Sequence, residues 1–170
     1  MAAKVQTSVE EYLRSSFDGL DREYVDGEVV ERPVGNNEHS EAQWRLSALL
    51  WESSKLHPVH GRPEIRVRIS ESRFRIIDLA IYAGSRPSES VPSRPPLAAI
   101  EILSPDDRMS DVLAKLAEYQ QWGVEHVWLI HPEARKLYEF RDGALLERPE
   151  LGLPRIAFSF QIGDILPIGG

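Results

Sequence analysis

The sequence predicts an α/β (α+β) domain built on a mixed central sheet flanked by helices, and three observations carry that prediction. Residues Leu97 to Leu103 form an apolar run without polar alternation, fenced by Pro95-Pro96 and Ser104-Pro105, the pattern of a strand covered on both faces. Two Asp-Gly pairs, Asp26-Gly27 and Asp142-Gly143, each stand between short strand-like segments and mark β-hairpins. Between the strands lie segments whose apolar residues recur at helical spacing, which places helices against a sheet.

The 170 residues fit one domain, 1–170, long enough to bury about 70% of the unfolded surface. Cysteine is absent, which excludes thiolate chemistry and Cys-ligated metals. No basic leader followed by an apolar stretch is present, and no apolar run nears the roughly 20 residues that span a bilayer. The expectation is a cytoplasmic protein without a membrane partner. A net charge of −7 argues against broad attraction to a polyanion. It leaves room for an acidic site whose bound cations neutralise it.

In chain order, residues 8–15 read as a short amphipathic helix capped by Thr7 or Ser8. The segments 22–25 and 28–31 flank the first Asp-Gly turn. Asn36-Asn37 caps a helix carrying Ala42, Leu46, Leu49 and Leu50 on one face and ending before Pro58. Glu38 and Glu41 at its start are explained by the helix dipole. His39 is either a surface histidine or part of a site at the helix mouth. His57 and His60, around Pro58, read as loop residues. Residues 64–70 alternate strictly, as a strand with one wet face does, and residues 74–82 form its hairpin partner. Asp78 interrupts that partner and by parity shares a face with Ile76 and Ala80, inward or beside a cleft. Residues 84–96, rich in proline and serine, are a surface loop.

After the central strand, Ser104-Pro105-Asp106-Asp107 has the composition of a helix start, and Gly123 that of its end. Met109, Val112, Leu113 and Leu116 make the apolar stripe, with Lys115, Tyr119 and Trp122 along its border. Lys115 can therefore lay its stem on apolar surface and project its amine beside the core. The alternative is an ordinary surface pair with Asp111. Residues 126–131 form another strand, 136–140 and 144–147 pair around the second Asp-Gly, and the tail from Pro154 adds short elements that close the core. His131, at a strand end, reads as structural.

Asp78 and Glu101 are therefore two acids on neighbouring strands, with a lysine on the next helix. A buried carboxylate needs an ion-pair partner or a metal, and an arginine already occupying the gap between the acids would mark a salt bridge and end the case for metal-assisted hydrolysis. Two nearby carboxylates do not both stay ionised without a cation. A hard divalent ion, Mg²⁺ or Mn²⁺, answers that requirement and acidifies a bound water, and an ammonium beside it offsets charge on a phosphoryl transition state. The residues alone lead to a metal-assisted hydrolase.

Three stretches, Arg75-Ile76-Ile77-Asp78-Leu79-Ala80-Ile81-Tyr82, Ala99-Ile100-Glu101-Ile102-Leu103-Ser104-Pro105 and Lys115 through Ile130, resemble the Uma-two family of restriction endonucleases, of the PD-(D/E)XK nuclease superfamily. Glu23 through Glu28 and His39 also match its pattern, so the resemblance covers nearly the whole chain. It implies a restriction-endonuclease-like fold, DNA as substrate, Asp78 and Glu101 as metal-binding and catalytic acids, and the Ile102 carbonyl as a further ligand. The superfamily lysine two residues after the second acid is here Leu103. The resemblance points instead to Lys115 as the catalytic lysine, and to His39 as a further site residue. Glu38 or Glu41 could add a ligand through water. Ile77 stands where the superfamily often has proline, and His131 where relatives carry aspartate. A homodimer, able to cut both strands, is expected by analogy. The competing functions are a catalytically inactive nuclease-fold module that binds nucleic acid or a protein partner, and a hydrolase of small phosphoesters.

Overall fold

The computed structural model describes residues 6–15 and 22–168. Its elements are α1 (Val9–Arg14), β1 (Arg22–Val25), β2 (Glu28–Glu31), α2 (Asn37–Ser54), β3 (Val59–Ser70), β4 (Arg73–Ala83), β5 (Ala98–Ile102), α3 (Met109–Trp122), β6 (His126–His131), β7 (Lys136–Arg141), β8 (Ala144–Arg148), β9 (Glu150–Leu153), a 3-10 turn (Pro154–Ile156), β10 (Phe158–Gln161) and α4 (Ile162–Ile165).

Eight strands make one mixed sheet in the order β2-β1-β4-β5-β6-β7-β8, with β3 paired to the free side of β4. β5 and β6 run parallel, and the remaining pairs among the described residues are antiparallel. The parallel pair requires a crossover, and α3 supplies it. β9 and β10 form a separate two-stranded ribbon.

Both Asp-Gly turns are present. Asp26 and Gly27 have φ of 49° and 94°, Asp142 and Gly143 of 50° and 80°, the left-handed pair that a two-residue hairpin turn demands. α1 is closed by Ser8, whose hydroxyl accepts from the Glu11 N–H at 3.2 Å while the Glu11 carboxylate accepts from the Ser8 N–H at 2.9 Å. The Asn36 side chain caps α2 through the His39 N–H at 3.0 Å. Gly123, with φ 108°, ends α3.

The sheet is covered on both sides, as the unalternating central strand predicted. On the α2 side Leu46 and Leu50 pack with Ile100, Trp128, Phe158 and Phe160. On the α3 side Leu116 and Val112 pack with Ile77, Ala99, Val127 and Leu129. A third cluster, Tyr12, Tyr24 and Phe74, fastens α1 to the first hairpin.

Three expectations are corrected. β3 begins at Val59, five residues before the alternation does, so His60 is a strand residue whose Nε2 lies 3.1 Å from the Gly84 carbonyl oxygen, not a loop residue. Gly61, Pro63 and the left-handed Glu64 (φ 49°) break the alternating pattern without breaking the ladder. α3 begins at Met109 and not at Ser104-Pro105. The Asp107 carboxylate accepts from the Ser104 N–H at 2.7 Å, and this local turn competes with helix at the acidic segment. Met109, expected on the buried stripe, is 41% exposed.

Candidate functional site

The strand register brings the acids together. Leu79 pairs with Ile100 and Ala80 with Ala99, so one step further along β4 and β5 Asp78 and Glu101 stand side by side. On the other side of β4, Pro63 pairs with Leu79 and Ile65 with Ile77, which leaves Glu64 across from Asp78. A row of three carboxylates, Glu64, Asp78 and Glu101, therefore crosses three adjacent strands. Asp78 is 1% exposed and Glu101 7%. They lie at the floor of a cleft of about 930 Å³, whose walls include Arg32, His39, Asp107 and Lys115.

Every oxygen of the central pair has a partner. Asp78 Oδ1 accepts from Arg32 Nη2, while Oδ2 accepts from the Ile102 N–H at 2.7 Å and lies 3.3 Å from His39 Nε2. Arg32 also binds Glu64 at 2.6 Å. Gln43 of α2 donates to Glu64 Oε1 at 2.7 Å and to the Asp78 carbonyl at 2.8 Å. Glu101 accepts from Lys115 Nζ at 3.1 Å and from the Tyr119 hydroxyl at 2.7 Å. The Lys115 ammonium is shared with the Ile76 carbonyl at 2.8 Å and with Glu23 Oε1 at 2.8 Å. Glu23 in turn accepts from the Ile76 N–H at 2.9 Å and from Arg75 at 2.8 Å, and Arg75 also holds Glu118.

These contacts divide the two acids electrostatically. Burial acts to raise Asp78, but the His39 hydrogen bond and the charges of Arg32 and Lys115 outweigh it, and its pKa is lowered to about 2. For Glu101 burial dominates, Lys115 opposes it, and the negative Asp78 alongside adds to it, so its pKa is raised to about 7. Burial disfavours the charge on Lys115, yet Glu101 and Glu23 more than restore it, and its pKa is raised. Lys115 is thus an ammonium at neutral pH, a donor and a positive charge, and not a general base. His39 is also raised, because its bond with Asp78 and Asp78's charge overcome the effect of burial. Its ring is packed so closely on Gly35 that a Cβ there would lie 2.6 Å from Nδ1.

The structure therefore gathers Asp78, Glu101, Lys115 and His39 around one point. It does not gather Glu38, which is exposed at the helix start, or Glu41, which pairs with Arg45. Lys115 pairs with Glu101 and Glu23, not with Asp111. His131 accepts from the Ala134 N–H at 3.2 Å, a turn contact away from the acids. Tyr119, Glu23, Glu64, Gln43 and Arg32 complete the site. Of these, Tyr119 has a sequence signal, one helical turn after Lys115 on the same border, and Glu23 opens the segment Glu23 through Glu28 that the family resemblance covers. Glu64 falls on what reads as the wet face of a strand, and Arg32 reaches Asp78 across 46 residues.

Among the described residues no group of three or more His, Cys, Asp or Glu side chains converges as a metal site. The donor set at the floor is a pair of carboxylates whose mutual repulsion a cation would relieve. Oxygen donors of this kind, completed by water, suit a hard divalent ion such as Mg²⁺, Mn²⁺ or Ca²⁺. No helix among the described residues is long and apolar enough to cross a membrane.

The sequence pattern of the family Uma2, described as "Putative restriction endonuclease", matches residues 9–158. No curated protein matches the chain. Among solved structures, a protein of Anabaena variabilis, described as a "putative nuclease belonging to DUF820", shares the fold at a TM-score of 0.81. It is 20% identical, and the match covers 94% of this chain and 97% of that one.

Proposed function

The chain belongs to the Uma2 family, and from that premise we propose that it is a Mg²⁺- or Mn²⁺-dependent endonuclease that hydrolyses phosphodiester bonds of DNA. The observation that carries the proposal is the convergence of Asp78, Glu101 and the Lys115 ammonium at the floor of an open cleft. Asp78 and Glu101 would hold the ion, with the main-chain carbonyl of Ile102 as a further ligand. When bound, the ion supplies a polarised phosphoryl oxygen and an acidified water.

The remaining work falls to the chain's own groups. Lys115, fixed by the Ile76 carbonyl and by Glu23, holds a positive charge beside Glu101, where it can offset charge that develops on the phosphate. Tyr119 and Lys115 fix the Glu101 carboxylate by donating to its two oxygens. The Ile102 N–H and His39 Nε2 both meet one oxygen of Asp78, Oδ2, and fix that carboxylate. Acids outnumber Lys and Arg in the cleft lining, and Arg32 and Lys115 are themselves paired to carboxylates, so contact with a polyanion there depends on the bound cations that offset the acids. We take the working form to be a cytoplasmic homodimer, one site for each strand of a duplex. Light scattering in solution checks the dimer: a monomer mass at working concentration removes it.

Plasmid nicking in Mn²⁺ tests the activity. The intact protein is expected to nick, with D78A and E101A reduced to background. Equal activity in all three overturns the proposal.

A specific observation favours a second function, a catalytically inactive nuclease-fold module that binds nucleic acid or a protein partner. Arg32 already neutralises Asp78, and Leu103 stands where the superfamily lysine would be. Calorimetric titration with Mn²⁺ separates the two. The inactive module shows no stoichiometric site that depends on Asp78.

A further inference from the structure

We infer that Arg32 is the resident counter-ion of Asp78 and competes with the divalent cation for that carboxylate, so that metal loading requires Arg32 to leave. The inference rests on the proposal that Asp78 is a metal-binding acid, and it goes beyond it by assigning a function to a residue outside the catalytic set.

Three features of the geometry carry it. First, Asp78 Oδ2 is committed to the protein, accepting from the Ile102 N–H at 2.7 Å with His39 Nε2 at 3.3 Å. The other oxygen, Oδ1, carries the Arg32 guanidinium. Second, a guanidinium and a dication on one carboxylate are like charges a few ångströms apart at a site shielded from water, where their repulsion is poorly screened. They exclude one another. Third, Arg32 is held differently from Lys115. Residues 32–35, between β2 and the α2 cap Asn36, lie in no strand or helix, and Arg32 follows the last residue of β2. Its placement depends on its two ion pairs, with Asp78 and with the more exposed Glu64, whose side chain is 37% exposed. Glu64 gives the guanidinium a second anchor at the cleft wall, so Arg32 can release Asp78 without losing every partner. The buried Asp78 carboxylate therefore never stands without a cation: Arg32 serves before the ion arrives, and the ion replaces it.

Mn²⁺ binding to the metal-free protein tests this, read by calorimetry and by the free-ion electron paramagnetic resonance signal, in the intact protein and in R32Q, R32K and D78N. Removing the competing charge should tighten Mn²⁺ binding about tenfold or more in R32Q. R32K, whose single ammonium cannot bridge Asp78 and Glu64 as a fork, should fall between R32Q and the intact protein. D78N should lose the site. Mn²⁺ should also raise the melting temperature of R32Q by more than that of the intact protein, because it restores a cation that the variant lacks. If R32Q does not fold, the comparison of R32K with the intact protein carries the test. An affinity in R32Q or R32K no higher than that of the intact protein, with D78N still abolishing binding, overturns the competition and leaves the metal site standing. A D78N protein that binds Mn²⁺ as the intact protein does overturns both.

Discussion

Two ion-paired centres lie side by side in this molecule, and they are closed by different kinds of structure. At Glu101 the cation is Lys115, mounted on α3 and shared with Glu23, whose other oxygen holds Arg75. At Asp78 the cation is Arg32, mounted on an irregular segment and shared with the half-exposed Glu64. Both centres line the cleft, but one cation stands on a helix and the other on a segment outside any strand or helix. The difference teaches that a buried charge can be held in two ways: Lys115, on a helix, is shared among Glu101, Glu23 and the Ile76 carbonyl, whereas Arg32 has two carboxylate partners and is the cation we propose to be exchanged.

The largest expected effect breaks the first centre. K115M leaves Glu101 and Glu23 without the ammonium they share, and chemical denaturation should show a loss of about 3–5 kcal/mol. A loss below 1 kcal/mol would mean that Arg75 and Tyr119 suffice. Next comes the pH dependence that belongs to Glu101. Its folded pKa, about 7, lies above the ordinary value of 4.5. The stabilisation is therefore fully present below pH 4.5 and lost as the pH rises through about 7. In chelator, the intact protein should lose about 3 kcal/mol more than E101Q across that window. His39 is raised as well and shifts stability in the same direction in both proteins, so the difference between them isolates Glu101. Parallel curves would remove the assignment.

A smaller effect is expected at the second centre. R32Q should lose about 1–2 kcal/mol without metal, because Asp78 keeps the Ile102 N–H and His39 and the glutamine amide can still donate a hydrogen bond to it. A loss as large as that of K115M would erase the contrast between the centres. The smallest is Y119F, about 1 kcal/mol for one hydroxyl donor to Glu101, with the pH midpoint of the Glu101 transition moving up because a bond to the charged form is lost. A midpoint that stays in place would show that the phenol packs without holding the carboxylate.

How far the sequence reveals these centres depends on how local their signals are. The hairpins at Asp26-Gly27 and Asp142-Gly143 are legible because few residues other than Gly, Asn and Asp accept the left-handed backbone of their turns. Glu101 is legible because a charge in an unalternating apolar run requires an ion-pair partner or a metal. Asp78 is legible for the same reason, and Lys115 through its position on the helix border. Arg32 and Glu64 are not legible. Each stands in a segment that looks solvated, and their importance arises only when the β3–β4 register sets Glu64 across from Asp78 and the chain after β2 folds back over both. The start of α3 is misjudged because Ser-Pro-Asp-Asp satisfies a helix cap and a self-contained turn equally well, and the Asp107 bond to the Ser104 N–H decides for the turn.

Among the described strands β3 pairs only with β4, and on its other side the Arg68 N–H donates to the Pro92 carbonyl at 2.8 Å, so that side of a twelve-residue strand meets a loop and no second strand. A flat edge of that length invites another chain to extend the sheet. In its middle, however, Pro63 lacks an N–H, and Glu64 turns the backbone into the left-handed region. The run of donors and acceptors that an incoming strand would need is interrupted there. The residue that anchors Arg32 thus also blunts the sheet's margin, and replacing Glu64 by a β-branched residue would be expected to promote aggregation as well as to disturb the cleft.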